Sequence, residues 1–410
     1  MATLTDPPEH GFRLGQLIYD TRYRSLTIQV VAMILLALMM SWLVSNTIQN
    51  LAALGKDINF GFLWQPSGYD INQRLISYDS QATHGRAAVV GILNTLLVAL
   101  LGCILATILG VIAGVLRLSS NWIVSRLMAV YVEGFRNVPL LLWIILIFAL
   151  LTESTPAPNA FRGDEPTSSM FLDAVAVTNR GVYIPALHFA SPLSQNGAVT
   201  WGVILLVLAL SIFAITRIKR WATATQEATG VRPATWHYTL GLLIVPVGAL
   251  LVTMGAYLDL PALQGFNFAG GTHLRNSLIA LWLALSLYTG AFIAEIVRGG
   301  ILAISKGQSE AAFALGLRPS TTMNLVILPQ ALRVIIPPLI SQYLNLTKNS
   351  SLAIAVGYMD ARSTLGGITI NQTGRELEGM LLLGLFYLVL SLIISAAMNI
   401  FNASVKLKER

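Results

Sequence analysis

Along the 410 residues, long apolar stretches without charge alternate with polar, turn-rich ones. The first runs from Leu26 to Ser45, about the 20 residues a helix needs to cross roughly 30 Å of hydrocarbon. Others cover about 88–116, 127–151, 199–216, 237–257, 274–297, 331–346 and 380–401. The pattern predicts an all-α polytopic membrane protein with about eight transmembrane helices. A cleaved signal peptide would be shorter and nearer the start, so the first stretch reads as a retained span. Between the spans, residues 47–87 (with Gln65-Pro66-Ser67-Gly68) and 152–198 (with Pro156, Pro158, Pro166, Pro185 and Pro192) read as external loops. Eight spans put both termini on one side, and that side carries the majority of the 26 Lys and Arg. Basic residues favour the cytoplasmic face, so both termini are expected there.

Composition sharpens this picture. The chain is 55% hydrophobic and 11% charged, against roughly a quarter charged in soluble domains. The net charge of +7 is explained by orientation in the membrane and does not call for a nucleic acid partner. Cys103 is alone, which excludes an internal disulfide and a cysteine metal cluster. The five histidines (His10, His84, His188, His237 and His273) lack ligand spacing, so no metal site is expected. There is no G-x-x-x-x-G-K-[ST] loop; Gly55-Lys56-Asp57 lacks both the hydroxyl and the preceding glycine. No nucleophile and base stand out as catalytic either, so the chain is not expected to be an enzyme.

Several residues inside the spans invite chemistry. Gly102, Ala106, Gly110 and Gly114 recur every four residues, a spacing that lets helix backbones approach closely in lipid. The third span opens with Tyr131-Val132-Glu133-Gly134-Phe135-Arg136-Asn137-Val138-Pro139, where charges would be costly facing lipid. Glu133 and Arg136 are three apart, close enough to pair on one helical face, and Pro139 marks a bend. Glu133, Arg136, Asn137, Pro139 and Arg298 are therefore structural or gating candidates. Glu295, in the sixth span, either pairs with Arg298 or faces a translocation pathway. At the outer end of the seventh span, Lys348, Asn349, Ser350 and Ser351 offer a cation, donors and hydroxyls.

Between the sixth and seventh spans lies SEAAFALGLRPSTTMNLVILP, residues 309–329, too short and polar to cross a bilayer. Glu310, Ala311, Ala312, Ala314 and Leu315 form helix readily, Gly316 is suited to end it, and Pro319 to begin another. A helix, sharp turn and helix would project as a knob on the cytoplasmic side, with a groove in a partner as its socket.

The spacing of Glu310, Ala311, Ala312, Gly316, Leu328 and Pro329 resembles the EAA motif of ABC importer membrane subunits, with Val326 in the place of an isoleucine. Glu133 to Pro139, Asn94-Thr95-Leu96, Tyr288 to Gly300, and Leu346-Thr347-Lys348-Asn349-Ser350-Ser351-Leu352-Ala353 are similar to polar amino acid permeases of the histidine and glutamine type. With Asn59-Phe60-Gly61-Phe62-Leu63-Trp64 after the first span, the plan is similar to the larger permease subunit of general L-amino acid importers. The resemblance implies a type I ABC importer transmembrane-domain core with one extra N-terminal span and a two-span insertion. The divisions expected are 1–87 (tail, extra span and periplasmic loop), 88–152 (first core part), 153–271 (insertion), 272–402 (second core part with the coupling helices 309–329) and a tail at 403–410.

The resemblance also implies an inner-membrane subunit of a broad-specificity, ATP-driven importer of polar L-amino acids, working by alternating access. Its partners would be a second homologous permease, two ATPase subunits carrying ATP and Mg, and a periplasmic amino-acid-binding protein docking on the loops at 47–87 and 153–198. Asn349 stands where some relatives carry Asp, which removes a fixed negative charge from the pathway. An ion-coupled secondary amino acid transporter is the alternative.

Overall fold

The computed structural model describes residues 16–55, 57–163, 166–194 and 197–405. Of the expected tails, Arg13 in one and Lys406, Lys408 and Arg410 in the other lie outside the described residues, as does Lys56, whereas Arg22 and Arg24 fall in the first long helix. Among the described residues seven helices are long and apolar enough to cross a membrane, and an eighth span results if one bent pair is counted as one. They are α1 (Thr21–Ala53), α2 (His84–Leu116), the pair α3 (Trp122–Asn137) and α4 (Leu140–Glu153), α5 (Gly197–Thr229), α6 (Trp236–Thr253) and α7 (Asn276–Leu302). The short helix α8 (Lys306–Ala314) follows, then α9 (Leu328–Asn349) and α10 (Glu376–Val405).

The core is α2 laid along α7. Gly110 faces Ile293 and Gly114 faces Ala294 and Val297, so the two helices advance together and run parallel. A methyl group at Gly110 would stand 2.5 Å from Ile293 Cβ and 2.9 Å from the Gly290 carbonyl oxygen. Close backbone approach is what small residues provide where lipid supplies no hydrophobic drive. α9 packs antiparallel against this pair, with Leu346 against Gly102 and Tyr343 Oη 2.7 Å from Thr107 Oγ1.

The third span is not one helix. α3 and α4 meet at 109°, because Pro139 disfavours helical geometry at the residue before it, and Val138 is extended at φ −108°, ψ 135°. α3 begins cleanly at Asn121, whose side chain accepts from the backbone N–H groups of Ile123 and Val124. In the seventh span α9 runs through both Pro337 and Pro338. The inserted helices α5 and α6 pack mainly on each other. The basic stretch that links them, from Arg217 to Arg232, is largely helical, since α5 continues to Thr229.

The expected external loop at 152–198 contains structure that its prolines concealed. Strands β1 (Ala176–Thr178) and β2 (Gly181–Ile184) form an antiparallel sheet completed by β7 (Thr272–Leu274), from the far side of the two inserted helices. β3 (Ala186–Phe189) pairs with β4 (Ala256–Asp259), and β5 (Ala262–Gln264) with β6 (Asn267–Ala269). The expected boundary at residue 271 therefore cuts a sheet, and this outer module extends to Leu274. Ala176, Tyr183 and Phe268 form its small core, and the His273 ring stacks on Tyr183 at 4.2 Å. Asn276 Nδ2 donates to the Asn179 carbonyl at 2.8 Å, tying the module to the start of α7.

Candidate functional site

The segment expected to form the knob is built by turn chemistry. α8 ends in a Schellman motif: Leu317 N–H donates to the Ala312 carbonyl at 3.1 Å and Gly316 N–H to that of Phe313 at 2.9 Å. Gly316 sits at φ +74°, a left-handed conformation that glycine adopts without steric cost. Arg318 then precedes a first turn at Pro319–Thr322. That turn does not close as a separate helix. It widens into a π-helix at Met323–Ile327 and runs on into α9. The wide turn accommodates Pro329, which has no N–H to donate and whose ring would clash with the carbonyl four residues back. The second knob helix and the seventh span are thus one rod, which the sequence alone did not reveal.

Glu310 and Ala311 are exposed on α8, while Ala312 is buried on its inner face. Leu315 (81% exposed), Leu325 (70%), Phe313 and Met323 add large apolar groups to the surface of the knob, and Leu328 and Pro329 lie at its root. Gln330 Nε2 donates to the Val326 carbonyl at 2.9 Å and reaches Gln308 Oε1 at 3.5 Å, joining α8 to the rod.

A charged network lies at the same end of α7. Arg117, just past α2, pairs with Glu295 and, at 3.2 Å, with Glu133. Glu295 also accepts from Arg298, whose Nε lies 3.1 Å away. Both carboxylate oxygens of Glu295 are therefore engaged within the protein. The expected Glu133–Arg136 pair does not form. The parallel packing of α2 on α7 carries Arg117 between the two carboxylates, and Arg136 instead stands 5.3 Å from the centre of the Phe292 ring. Asn137 Nδ2 approaches Glu133 Oε2 at 3.4 Å. Nothing in the local sequence marks Arg117 as the shared partner; only the packing does.

The Lys348 segment, expected at the outer end of the span, lies alongside the middle of α2. α9 stops at Asn349 and the chain continues as a 3₁₀ helix over Ser350–Val356. Leu346 lies against Gly102, near the middle of α2, so Lys348 sits about half-way along that helix. Beyond it, the chain continues along the N-terminal half of α2 in short pieces, Ala361–Ser363, a π-turn at Thr364–Thr369 and Ile370–Thr373. Side chains missed by the sequence reading fasten those pieces. Asn94 Nδ2 donates to the Gln73 and Met359 carbonyls, Tyr358 Oη to the Asn94 carbonyl, and Ala361 N–H to Thr95 Oγ1. Buried Asp360 caps the next turn by accepting from Ser363 N–H at 2.8 Å. Within the candidate segment, Lys348 is exposed and Asn349 and Ser351 are half-buried. Ser350 is buried, its hydroxyl donated to the Thr347 carbonyl at 2.7 Å. Among the described residues no group of three His, Cys, Asp or Glu is arranged to hold a metal ion.

Residues 233–407 match the family of binding-protein-dependent transport system inner membrane components. Over the full length of both chains, the protein is 58% identical to the glutamate/glutamine/aspartate/asparagine transport system permease protein BztB of Rhodobacter capsulatus. The chain belongs to the amino acid ABC transporter permeases. It is also 44% identical to the general L-amino acid transport system permease protein AapQ of Rhizobium johnstonii, over 98% of this chain and 96% of that one. The putative amino-acid ABC transporter permease protein YhdX of Escherichia coli is 42% identical over 94% and 95%. The permease is thus a multi-pass inner-membrane subunit of an ABC importer for amino acids, and an ion-coupled secondary carrier is not favoured. Each of these relatives aligns along nearly its whole length with nearly the whole of this chain.

Proposed function

We propose that the permease carries polar L-amino acids from periplasm to cytoplasm, driven through α8 by ATPase subunits that hold ATP and Mg. The observation that carries this reading is the form of the knob: exposed Glu310 and Ala311, flanked by Leu315 and Leu325, on a segment continuous with the seventh span. A short polar helix with exposed apolar side chains at its end and beside it fits a groove, and a rod without a joint transmits displacement of its end. Closure of two ATPases would draw α8 inward and tilt α9 against α2 and α7. Both termini then face the cytoplasm, a second homologous permease completes the pathway, and a periplasmic binding protein delivers the substrate. Coupling through α8 is tested with Glu310→Lys in the complete transporter: ATP hydrolysis should persist while uptake falls, and unchanged uptake per ATP would refute the coupling role of Glu310.

Lys348 is assigned to the carboxylate of the passing amino acid. A lysine at mid-depth is costly against lipid, so its exposed ammonium supports a site facing the pathway or the second permease. Asn349 and Ser351 stand beside it as polar partners. Glu295 and Ser350, whose polar atoms are already committed, are assigned to structure, together with Glu133, Arg136, Asn137, Pro139 and Arg298. With no carboxylate at 349, neutral and acidic side chains are favoured over cationic ones, which supports a broad specificity including acidic amino acids and their amides. Uptake with Lys348→Ala should fall for all substrates, and Asn349→Asp should shift competition towards arginine and lysine. Wild-type rates and selectivity in both variants would remove the segment from the pathway.

A further inference from the structure

The inserted pair α5–α6 stands apart from the helices around α2 and α7. Its two helices pack mainly on each other and are clasped at their outer ends, where β3 pairs with β4. Thr200, Ile204, Ser211, Ile215 and Ala222 are buried on α5, spaced four and seven apart. That spacing is the narrow seam of a two-stranded coil, and it leaves the other sides of the helix uncovered. α5 is 33 residues long, about 50 Å at 1.5 Å per residue, well beyond roughly 30 Å of hydrocarbon. Its uncharged run, 197–216, fills that thickness with about 20 residues, and Arg217, Lys219 and Arg220 follow at once. α6 has 18 residues, about 27 Å, and opens with Trp236, His237 and Tyr238. Residues 217–221 on one helix and 236–238 on the other therefore mark the same edge of the bilayer.

Arg217, Lys219, Arg220 and, in the connection between the helices, Arg232 are exposed at this edge. Among the described residues none of the four enters an ion pair. Trp221, Trp236 and Tyr238 are exposed beside them. Arg217 leans back over the apolar run, its guanidinium carbon 5.2 Å from the centre of the Phe213 ring. With 3.6 residues per turn, Lys219 lies about 200° and Arg220 about 300° round the helix from Arg217. The cations thus point to every side of α5 except that of the seam, where half-buried Ile218 and buried Ala222 lie.

We propose that this edge is a collar for anionic phospholipid headgroups, which gather round α5 and fix the α5–α6 pair in the leaflet at its connecting end. A protein socket takes one face of a helix, whereas lipid surrounds every side that the seam leaves open. The charges also sit at headgroup height, while the tip of the projection, residues 226–231, carries no cation. A protrusion built for a partner protein presents its groups at the tip, as exposed Leu315 does at the end of α8. Guanidinium groups offer paired donors to phosphate oxygens, and clustered Lys and Arg at a membrane edge attract anionic lipid. Exposed tryptophan and tyrosine at the same level are the aromatic half of such a boundary. The collar is independent of the direction of transport, since it holds on whichever face of the membrane the α5–α6 connection lies.

The test uses the complete transporter in phosphatidylcholine proteoliposomes. These are doped with a trace of either phosphatidylglycerol or phosphatidylcholine that carries a photoactivatable diazirine in its headgroup. After illumination, lipid adducts on peptides covering residues 217–238 are counted by mass spectrometry. The phosphatidylglycerol probe should label these peptides at least about tenfold more than the phosphatidylcholine probe, and less so as salt is raised. Arg220→Gln alone should lower that ratio by up to about fivefold, the share of one basic residue at such a surface. Arg217→Gln, Lys219→Gln, Arg220→Gln and Arg232→Gln combined should bring it to about one, with the thermal midpoint in detergent unchanged because all four side chains are exposed. Equal labelling by the two probes in the wild type would overturn the collar, as would a ratio that the combined variant leaves unchanged. A combined variant that sheds the ATPase subunits on purification while keeping the wild-type ratio would likewise overturn it, and would make these residues a protein contact.

Discussion

Gly316 allows the proposed coupling role of α8 to be tested without touching any contact surface. Its φ of +74° is the one feature that reverses the chain between α8 and Pro319. No atom lies within 4 Å of where a Cβ would be added, so a substitution acts through backbone conformation alone. Holding any residue with a Cβ in this conformation costs roughly 1–2 kcal/mol. If the chain escapes the cost by opening the turn, it loses the two capping bonds from Leu317 and Gly316, together about 1–3 kcal/mol. By either route the formed turn loses about tenfold in population. Asparagine tolerates the left-handed region, alanine less well, and a β-branched residue least. In proteoliposomes holding the complete transporter, amino acid imported per ATP hydrolysed should therefore rank Gly316 and Gly316→Asn together, Gly316→Ala below them and Gly316→Val lowest. A Gly316→Val transporter with the wild-type ratio would refute the view that this turn sets the angle through which α8 drives α9.

The α2–α7 seam makes a second prediction: Gly110→Ala must push Ile293 or the Gly290 carbonyl aside, an overpacking cost of about 1–3 kcal/mol, seen as a lower thermal midpoint in detergent. Gly134→Ala, with nothing within 4 Å, should leave the midpoint unchanged. The outer module makes a third. Burial lowers the pKa of His273, and its Nε2 lies 3.1 Å from the Arg180 carbonyl, where a neutral ring donates. A histidine whose folded pKa is depressed stabilises the fold above its unfolded value, near 6.5, and withdraws that stability as pH falls below it towards the folded value. Limited proteolysis of the module should accelerate between pH 7 and pH 5. His273→Phe, which keeps a ring on Tyr183, should remove the acceleration.

What the sequence settled by itself was local in origin. Runs of apolar residues long enough to cross a bilayer, glycine after α8 and proline at the start of the next turn act within a few residues of themselves, so spans and knob were legible without coordinates. The four-residue recurrence of Gly102, Ala106, Gly110 and Gly114 likewise marked a close-packed face, though not that α7 would occupy it. Tertiary structure decided what depends on which distant segments meet. Strands of three or four residues carry too short a pattern to read, and β2 finds β7 only after two helices have crossed the membrane and returned. Arg117 takes the place that spacing offered to Arg136 because parallel packing of two helices delivers it between Glu133 and Glu295. Lys348 lies beside the middle of α2 because Leu346 packs on Gly102 and the α-helix stops one residue after Lys348, while Asn94, Thr95 and Tyr358 fasten the chain that follows. Depth in a membrane is measured along the whole fold, and a hydropathy pattern read one stretch at a time does not contain it.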